Sequence, residues 1–225
     1  MIISLIIYSG LNVFFYNLYT YLEQIEFNVF KNSNLEKSYR IVNITKSFFL
    51  GLSSPYAMYL FYCILFQLPY NINILYLISS LYASLDMSAM VYNPHAHIST
   101  TIHHSVVQIF YFYGVYVNWN VNSISNLILI YAIFSTFAYL VNFRLGIRQS
   151  EIRPFLVNLV NDCALIIYVF SCIANWCLQT YFILTTDFIE HTIYVILYST
   201  LVICIAVDDV KLIKYLYHQS DLLQN

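Results

Sequence analysis

Apolar residues run in seven long blocks along the chain: about Ile2 to Leu22, Phe48 to Gln67, Ile72 to Val91, Ile98 to Val117, Ile124 to Phe143, Phe155 to Cys177 and Phe188 to Val207. Each holds about 20 residues, the length an α-helix rising 1.5 Å per residue needs to cross a hydrocarbon core of about 30 Å. Lipid offers the backbone no partner outside its own helix, so blocks of this length predict helices rather than strands. The expectation is an all-α, polytopic membrane protein with about seven transmembrane helices. The blocks fill nearly the whole length and leave no room for a soluble domain. No internal duplication is visible. The first block, MIISLIIYSGLNVFFYNLYTYL, has no basic stretch before it and exceeds the apolar core of a signal peptide, about 7 to 15 residues, so it reads as a retained first helix.

The polar connections divide the chain further. Residues 1–22 form the N-terminal transmembrane helix, 23–47 a long polar loop, 40–215 the main membrane domain and 216–225 a tail. Lys31, Lys37, Arg40 and Lys46 lie in the first loop, Arg144, Arg148 and Arg153 in the fifth, and Lys211 and Lys214 in the tail. Those are all nine Lys and Arg residues of the chain. With seven spans these three segments fall on one side, and short loops retained in the cytosol carry the basic residues. The expected topology therefore has the N-terminus lumenal and both the long loop and the C-terminal tail cytosolic.

Composition sharpens the class. The chain is 60% hydrophobic and only 9% charged, with a mean hydropathy of +0.69, against about a quarter charged in soluble proteins. Net charge is −2, with no long basic run, which excludes a nucleic-acid partner. Membrane lipids are the expected partners. The five cysteines form no CxxC pair and read as small apolar residues.

Ionisable residues inside a span are costly, and each is a candidate for function. Asp86 lies in the third block (LYASLDMSAMVY), His103 and His104 in the fourth, Asp162 in the sixth, and Asp187, Glu190 and His191 at the head of the seventh. The stretch HAHISTTIHHSVV concentrates four histidines around the turn at Pro94. Asp86 and His103 stand at matching distances from that turn, roughly 12 to 14 Å at helical rise, so the hairpin brings a carboxylate to an imidazole. Such a pair fixes the ring's tautomer and equips it for acid/base work. Adjacent helical residues point about 100° apart, so one histidine acts while its neighbour orients it. Thr100 and Thr101, one turn earlier, are candidate hydrogen-bond donors on the same face. The competing structural role is simple glue, an interhelical hydrogen bond worth about 0.6 to 2 kcal/mol. His95 and His97 fall in the polar turn, where solvated histidine needs no further role. No metal site is expected: the chain has six histidines in one cluster, too few for membrane di-iron His boxes, and EHTIYVILYST lacks the second histidine a seven-span zinc hydrolase needs. Nucleophile-elbow, P-loop and dinucleotide-binding glycine patterns do not occur.

LYASLDMSAMVY followed by IHHSVVQIF, seventeen residues beyond the aspartate, resembles the TLC domain shared by ceramide synthases and translocating-chain-associated membrane proteins, and most nearly its short members. The likeness covers about residues 40 to 215. EIRPFLVN at 151–158 is similar to the E-x-S-T-P-F-x-N segment of those short members, with Glu151 and Asn158 in register. The resemblance implies a six-helix barrel around a lipid-accommodating cavity, with the first helix packed outside. It also implies acyl transfer at His103 and His104 with Asp86 fixing the tautomer, acyl-CoA as a substrate with no resident cofactor, and an endomembrane, endoplasmic-reticulum-like location; Glu151 and Asn158 from the likeness join Thr100, Thr101 and Asp162 from the spans as candidate substrate-binding residues. The chain departs from the synthase pattern: HHxxT reads HHSVV, with Val107 in the threonine position, and the downstream HDxxD segment has no counterpart, Asp162 and Asp187 being poor substitutes. Two functions stay open, a lipid-modifying acyltransferase and a non-enzymatic lipid-binding, sensing or trafficking protein.

Overall fold

The computed structural model describes residues 2–26, 34–66, 68–93, 97–117, 123–147, 154–189 and 191–224. Every regular element among them is helical: α1 (Ile2–Glu26), α2 (Asn34–Leu65), α3 (Ile72–Tyr92), α4 (Ile98–Val117), α5 (Ile124–Ser135), α6 (Tyr139–Ile147), α7 (Pro154–Thr185) and α8 (Thr192–Gln224). A single 3-10 turn, Thr136–Ala138, joins α5 to α6 in one run. Six of the runs are long and apolar enough to cross a membrane, and the chain is a multi-pass helical membrane protein. α4 is not among those six. Its sequence spends seven positions on Ser, Thr, His and Gln, and it is flanked by α3, α5 and α8.

Local chemistry sets the helix ends. Asn71 caps α3 by accepting from the backbone of Asn73 and Ile74, and Ser123 caps α5 through Ser125. His97 does the same for α4, its Nδ1 accepting from the Ser99 N–H at 3.2 Å. Pro154 opens α7, where its missing N–H costs nothing. Pro55 lies inside α2 and leaves the carbonyl four residues earlier, that of Gly51, without its helical donor. Ser54 fills the gap, its hydroxyl donating to the Gly51 oxygen at 2.8 Å. Where α5 tightens into the 3-10 turn, Ser171 of α7 donates to the Phe134 oxygen at 2.8 Å.

Two expected boundaries move. The polar segment 23–47 was expected as a loop, yet α1 runs to Glu26 and α2 begins at Asn34. Lys37, Arg40 and Lys46 are therefore buried helix residues rather than loop residues. α8 likewise continues past Val207 to Gln224, so the expected tail 216–225 is helical almost to its end and Asp208 and Asp209 lie within a helix. Periodicity alone ends a span where apolar residues end; a helix whose polar residues face inward continues.

Packing runs α2 on α3, α3 on α4, α4 on α8, α8 on α7, α7 on α5 and α6, and α6 back on α2, while α1 lies chiefly along α3 with a smaller contact on α2. Apolar side chains such as Ile6, Phe170, Leu184 and Ile203 face outward, each more than 60% exposed, while Asp86, Arg144, Asn161, Gln179 and Asp209 are buried. This inversion is what a lipid solvent dictates, because polar groups find partners only inside the bundle. Ser4, Ser80 and Tyr111 form a closed hydroxyl triad at 2.9 to 3.3 Å that ties α1 to α3 and α4. Arg144 Nε donates to Asn161 Oδ1 at 3.1 Å, Asn161 Nδ2 to the Leu216 oxygen at 3.1 Å, and Arg144 also reaches Gln219, which binds α6, α7 and α8. Gln179 links α7 to α5 through the Leu127 oxygen at 2.9 Å and accepts from Tyr198 of α8.

α6 lies closely on α2. A Cβ at Gly146 would stand 2.5 Å from Ile44 Cγ1 and 3.3 Å from the Ile44 backbone nitrogen. Cγ1 is the near end of a β-branched side chain with little rotameric freedom in a helix. Gly146→Val is expected to part the two helices and cost about 1 to 3 kcal/mol, and Ile44→Ala in the same chain to recover part of it. Thermal unfolding in detergent checks this; an unchanged midpoint for Gly146→Val contradicts the packing.

Candidate functional site

The ring of contacts surrounds a partly open cavity of about 610 Å³, lined by residues of α2, α3, α4, α5, α6, α7 and α8 and by none of α1. It occupies one half of the bundle, reached by the N-terminal half of α2, the C-terminal part of α3, the N-terminal part of α4 and the C-terminal half of α8. The described basic residues gather at the same end. Gly146 lies against Ile44 and Arg40, and Arg144 reaches Gln219.

His103 and His104 enter the cavity from α4 in adjacent positions, with ring centroids 5.5 Å apart and planes at 68°. Each meets a different carboxylate. His104 Nδ1 lies 3.1 Å from Asp86 Oδ2, and His103 Nδ1 lies 3.3 Å from Asp208 Oδ2 of α8. Both approaches are at ion-pair distance without linear hydrogen-bond alignment. The expected pairing of Asp86 with His103 is thus corrected: the hairpin does bring the carboxylate to the histidine pair, but at the neighbouring ring. The depth argument fixed the level along the helix and was blind to the 100° step between adjacent residues.

Lys46 of α2 completes the first group. Its ammonium lies 2.7 Å from Asp86 Oδ1 and 3.2 Å from His104 Nε2. Lysine, aspartate and histidine therefore close a triangle across α2, α3 and α4, in which the two charged side chains are each only 8% exposed. A buried cation and anion at this distance neutralise each other, whereas either alone would be severely destabilising. On the opposite wall Tyr168 of α7 donates to Asp209 Oδ1 at 2.8 Å. Asp208 and Asp209, adjacent on α8, thus present one carboxylate to His103 and one to Tyr168.

The other candidates separate by position. Thr100 lines the cavity; Thr101 is exposed on the outer face, its hydroxyl directed to the His97 oxygen at 3.4 Å. Asn158 and Asp162 are not among the lining residues, Asp162 being exposed on α7. The α7 surface facing the cavity is carried by Tyr168, Ser171, Cys172 and Asn175 instead. Glu151, His95 and Glu190 lie outside the described residues. Asp187 and His191 are exposed, and His97, expected only as a solvated turn residue, caps α4 and stands at the cavity wall.

Lys46, Asp208, Asp209 and Tyr168 were not foreseen. Lys46 stands two residues before the second apolar block and reads from the sequence as a loop cation; Asp208 and Asp209 directly follow the last block, outside its apolar run. The available signal was their position within two residues of an apolar edge, where one extra helical turn draws a side chain into the bundle. Tyr168 had no signal among 23 tyrosines.

Compared with protein-family models, curated proteins and solved structures, the chain matches none of them. The site therefore has to be read from its own geometry: a cluster of imidazoles, carboxylates and one ammonium lining a partly open cavity inside the helical bundle.

The triangle makes a clear stability prediction. Lys46→Met strands the Asp86 carboxylate in the interior and is expected to cost about 3 to 5 kcal/mol. Adding Asp86→Asn removes the stranded charge, and the double variant is expected to unfold at a higher temperature than Lys46→Met alone. A double variant no more stable than the single one contradicts the ion pair.

Proposed function

We propose that this chain is a TLC-type integral membrane enzyme that transfers an acyl group to a lipid acceptor within the 610 Å³ cavity. The observation that carries the reading is the meeting of two imidazoles, each against its own carboxylate, in one cavity. A neutral imidazole takes the proton from an acceptor hydroxyl or amine as the acceptor attacks a thioester carbonyl. The new C–O or C–N bond forms, the C–S bond breaks, and the imidazolium returns the proton to the departing thiolate. No cofactor enters this step, and an acyl-CoA serves as the donor. The arrangement of α2 to α8 around the cavity with α1 outside it supports the six-span barrel with one outer helix that the resemblance implies, and it argues for seven spans with α4 as the seventh, polar one.

Orientation follows from the cations. Lys37, Arg40, Lys46, Arg144, Lys211 and Lys214 lie toward one end of the bundle, which supports a cytosolic mouth, a cytosolic C-terminus and a lumenal N-terminus. A cytosolic mouth also suits the phosphates of an acyl-CoA. An endomembrane, endoplasmic-reticulum-like location belongs to the same proposal.

A second reading, lipid binding or sensing without chemistry, draws on one observation. Val107 takes the threonine position of the HHxxT pattern and is buried at 4% exposure against the bundle rather than offering a hydroxyl. The two readings part in the lipidome of cells expressing wild type or His103→Ala plus His104→Ala. Altered acyl-lipid profiles that depend on the histidines are expected. Identical profiles, with the variant folded and correctly placed, contradict the enzyme and favour the binding protein.

A further inference from the structure

The two histidines have unequal surroundings. Both ring nitrogens of His104 are engaged, Nδ1 by Asp86 Oδ2 at 3.1 Å and Nε2 by the Lys46 ammonium at 3.2 Å. An ammonium has three N–H donors and no acceptor, so the nitrogen facing it must be the one bearing a lone pair. That puts the single proton of a neutral His104 on Nδ1, toward the carboxylate, and leaves no lone pair open to the cavity. His103 differs. Its Nδ1 faces Asp208 at 3.3 Å, while its Nε2 has no hydrogen-bond partner among the described residues, and its ring forms part of the cavity wall.

We infer that Lys46 is a positioning residue that clamps His104 in one tautomer, so that His103, backed by Asp208, is the imidazole that meets the substrate proton. The inference rests on the acid/base reading of the site and assigns its parts. Lys46 and Asp86 together form a neutral clamp from α2 and α3 that fixes the start of α4, and His104 is the ring it grips. His103, the next residue, is thereby held with Nδ1 toward the Asp208 carboxylate and Nε2 toward the cavity. A proton taken at Nε2 creates an imidazolium with its positive charge beside Asp208, which stabilises it, and far less beside the already neutralised Asp86.

Diethyl pyrocarbonate acylates unprotonated imidazole nitrogens and so reads lone-pair availability without any knowledge of the natural substrate. The protein, purified in lipid nanodiscs, is labelled at neutral pH, and tandem mass spectrometry separates the adjacent positions. His103 is expected to label and His104 to lag by about tenfold or more, as for a lone pair held in a charge-assisted hydrogen bond. In Lys46→Met plus Asp86→Asn, which removes the clamp without stranding a charge, the His104 rate is expected to rise to near that of His103. Equal labelling in the wild type, an unreactive His103, or a His104 that stays protected in the double variant each overturns the assignment. If the double variant does not fold, the wild-type ratio decides. An unchanged lipidome beside the expected labelling pattern would remove the enzyme and leave the role of Lys46 standing, so the two failures are distinguishable.

Discussion

A lysine and an aspartate buried together inside a lipid-facing bundle, 2.7 Å apart on α2 and α3, constrain nearly everything around them. Neither charge is tolerable alone at that depth, so the helices that carry them must meet, and at a fixed level. His104 enters as the third member and fixes α4 against the pair. With α2, α3 and α4 joined in this way, the wall that remains open is closed by α5 to α8, and the enclosed space is necessarily polar on one side. The hydroxyl triad of Ser4, Ser80 and Tyr111 and the Arg144–Asn161–Leu216 link act by the same rule elsewhere in the bundle. In lipid the hydrophobic effect does not drive helices together; close packing and interhelical polar contacts do.

The hydrophobic pattern made the class and the helices legible, because a block of about 20 apolar residues has one solution in a bilayer. It also singled out Asp86, His103 and His104, which stand out as ionisable residues in apolar surroundings. Helix ends were less legible for the same reason. Lys46, Asp208 and Asp209 lie just beyond the apolar blocks, and only the fold reveals that their side chains turn inward where a solvated loop was expected. The pairing of Asp86 with His104 rather than His103 depends on rotation about the helix axis, which depth along the helix does not contain. Asn158, offered by the local likeness at 151–158, and Asp162, offered as an ionisable residue in an apolar block, lie off the cavity lining, because α7 presents another face to it.

The site as a whole is asymmetric. One wall carries a neutralised trio, Lys46, Asp86 and His104; the other carries Asp208 and Asp209, opposed among the described residues by His103 and the Tyr168 hydroxyl. On the proposed acyl-transfer reading, such a division separates a rigid part, held by charge, from a part that exchanges protons with the substrate. Two adjacent histidines on one helix can therefore do different work, and the difference comes from their neighbours on α2 and α8.

The central claim is that the Lys46 ammonium donates to His104 Nε2. Nitrogen NMR of protein labelled at histidine and lysine, in lipid bilayers, tests it most directly. The account predicts a neutral His104 protonated at Nδ1, with a through-space contact between its unprotonated Nε2 and the Lys46 ammonium. A His104 protonated at Nε2, or one with no contact to Lys46, would contradict it.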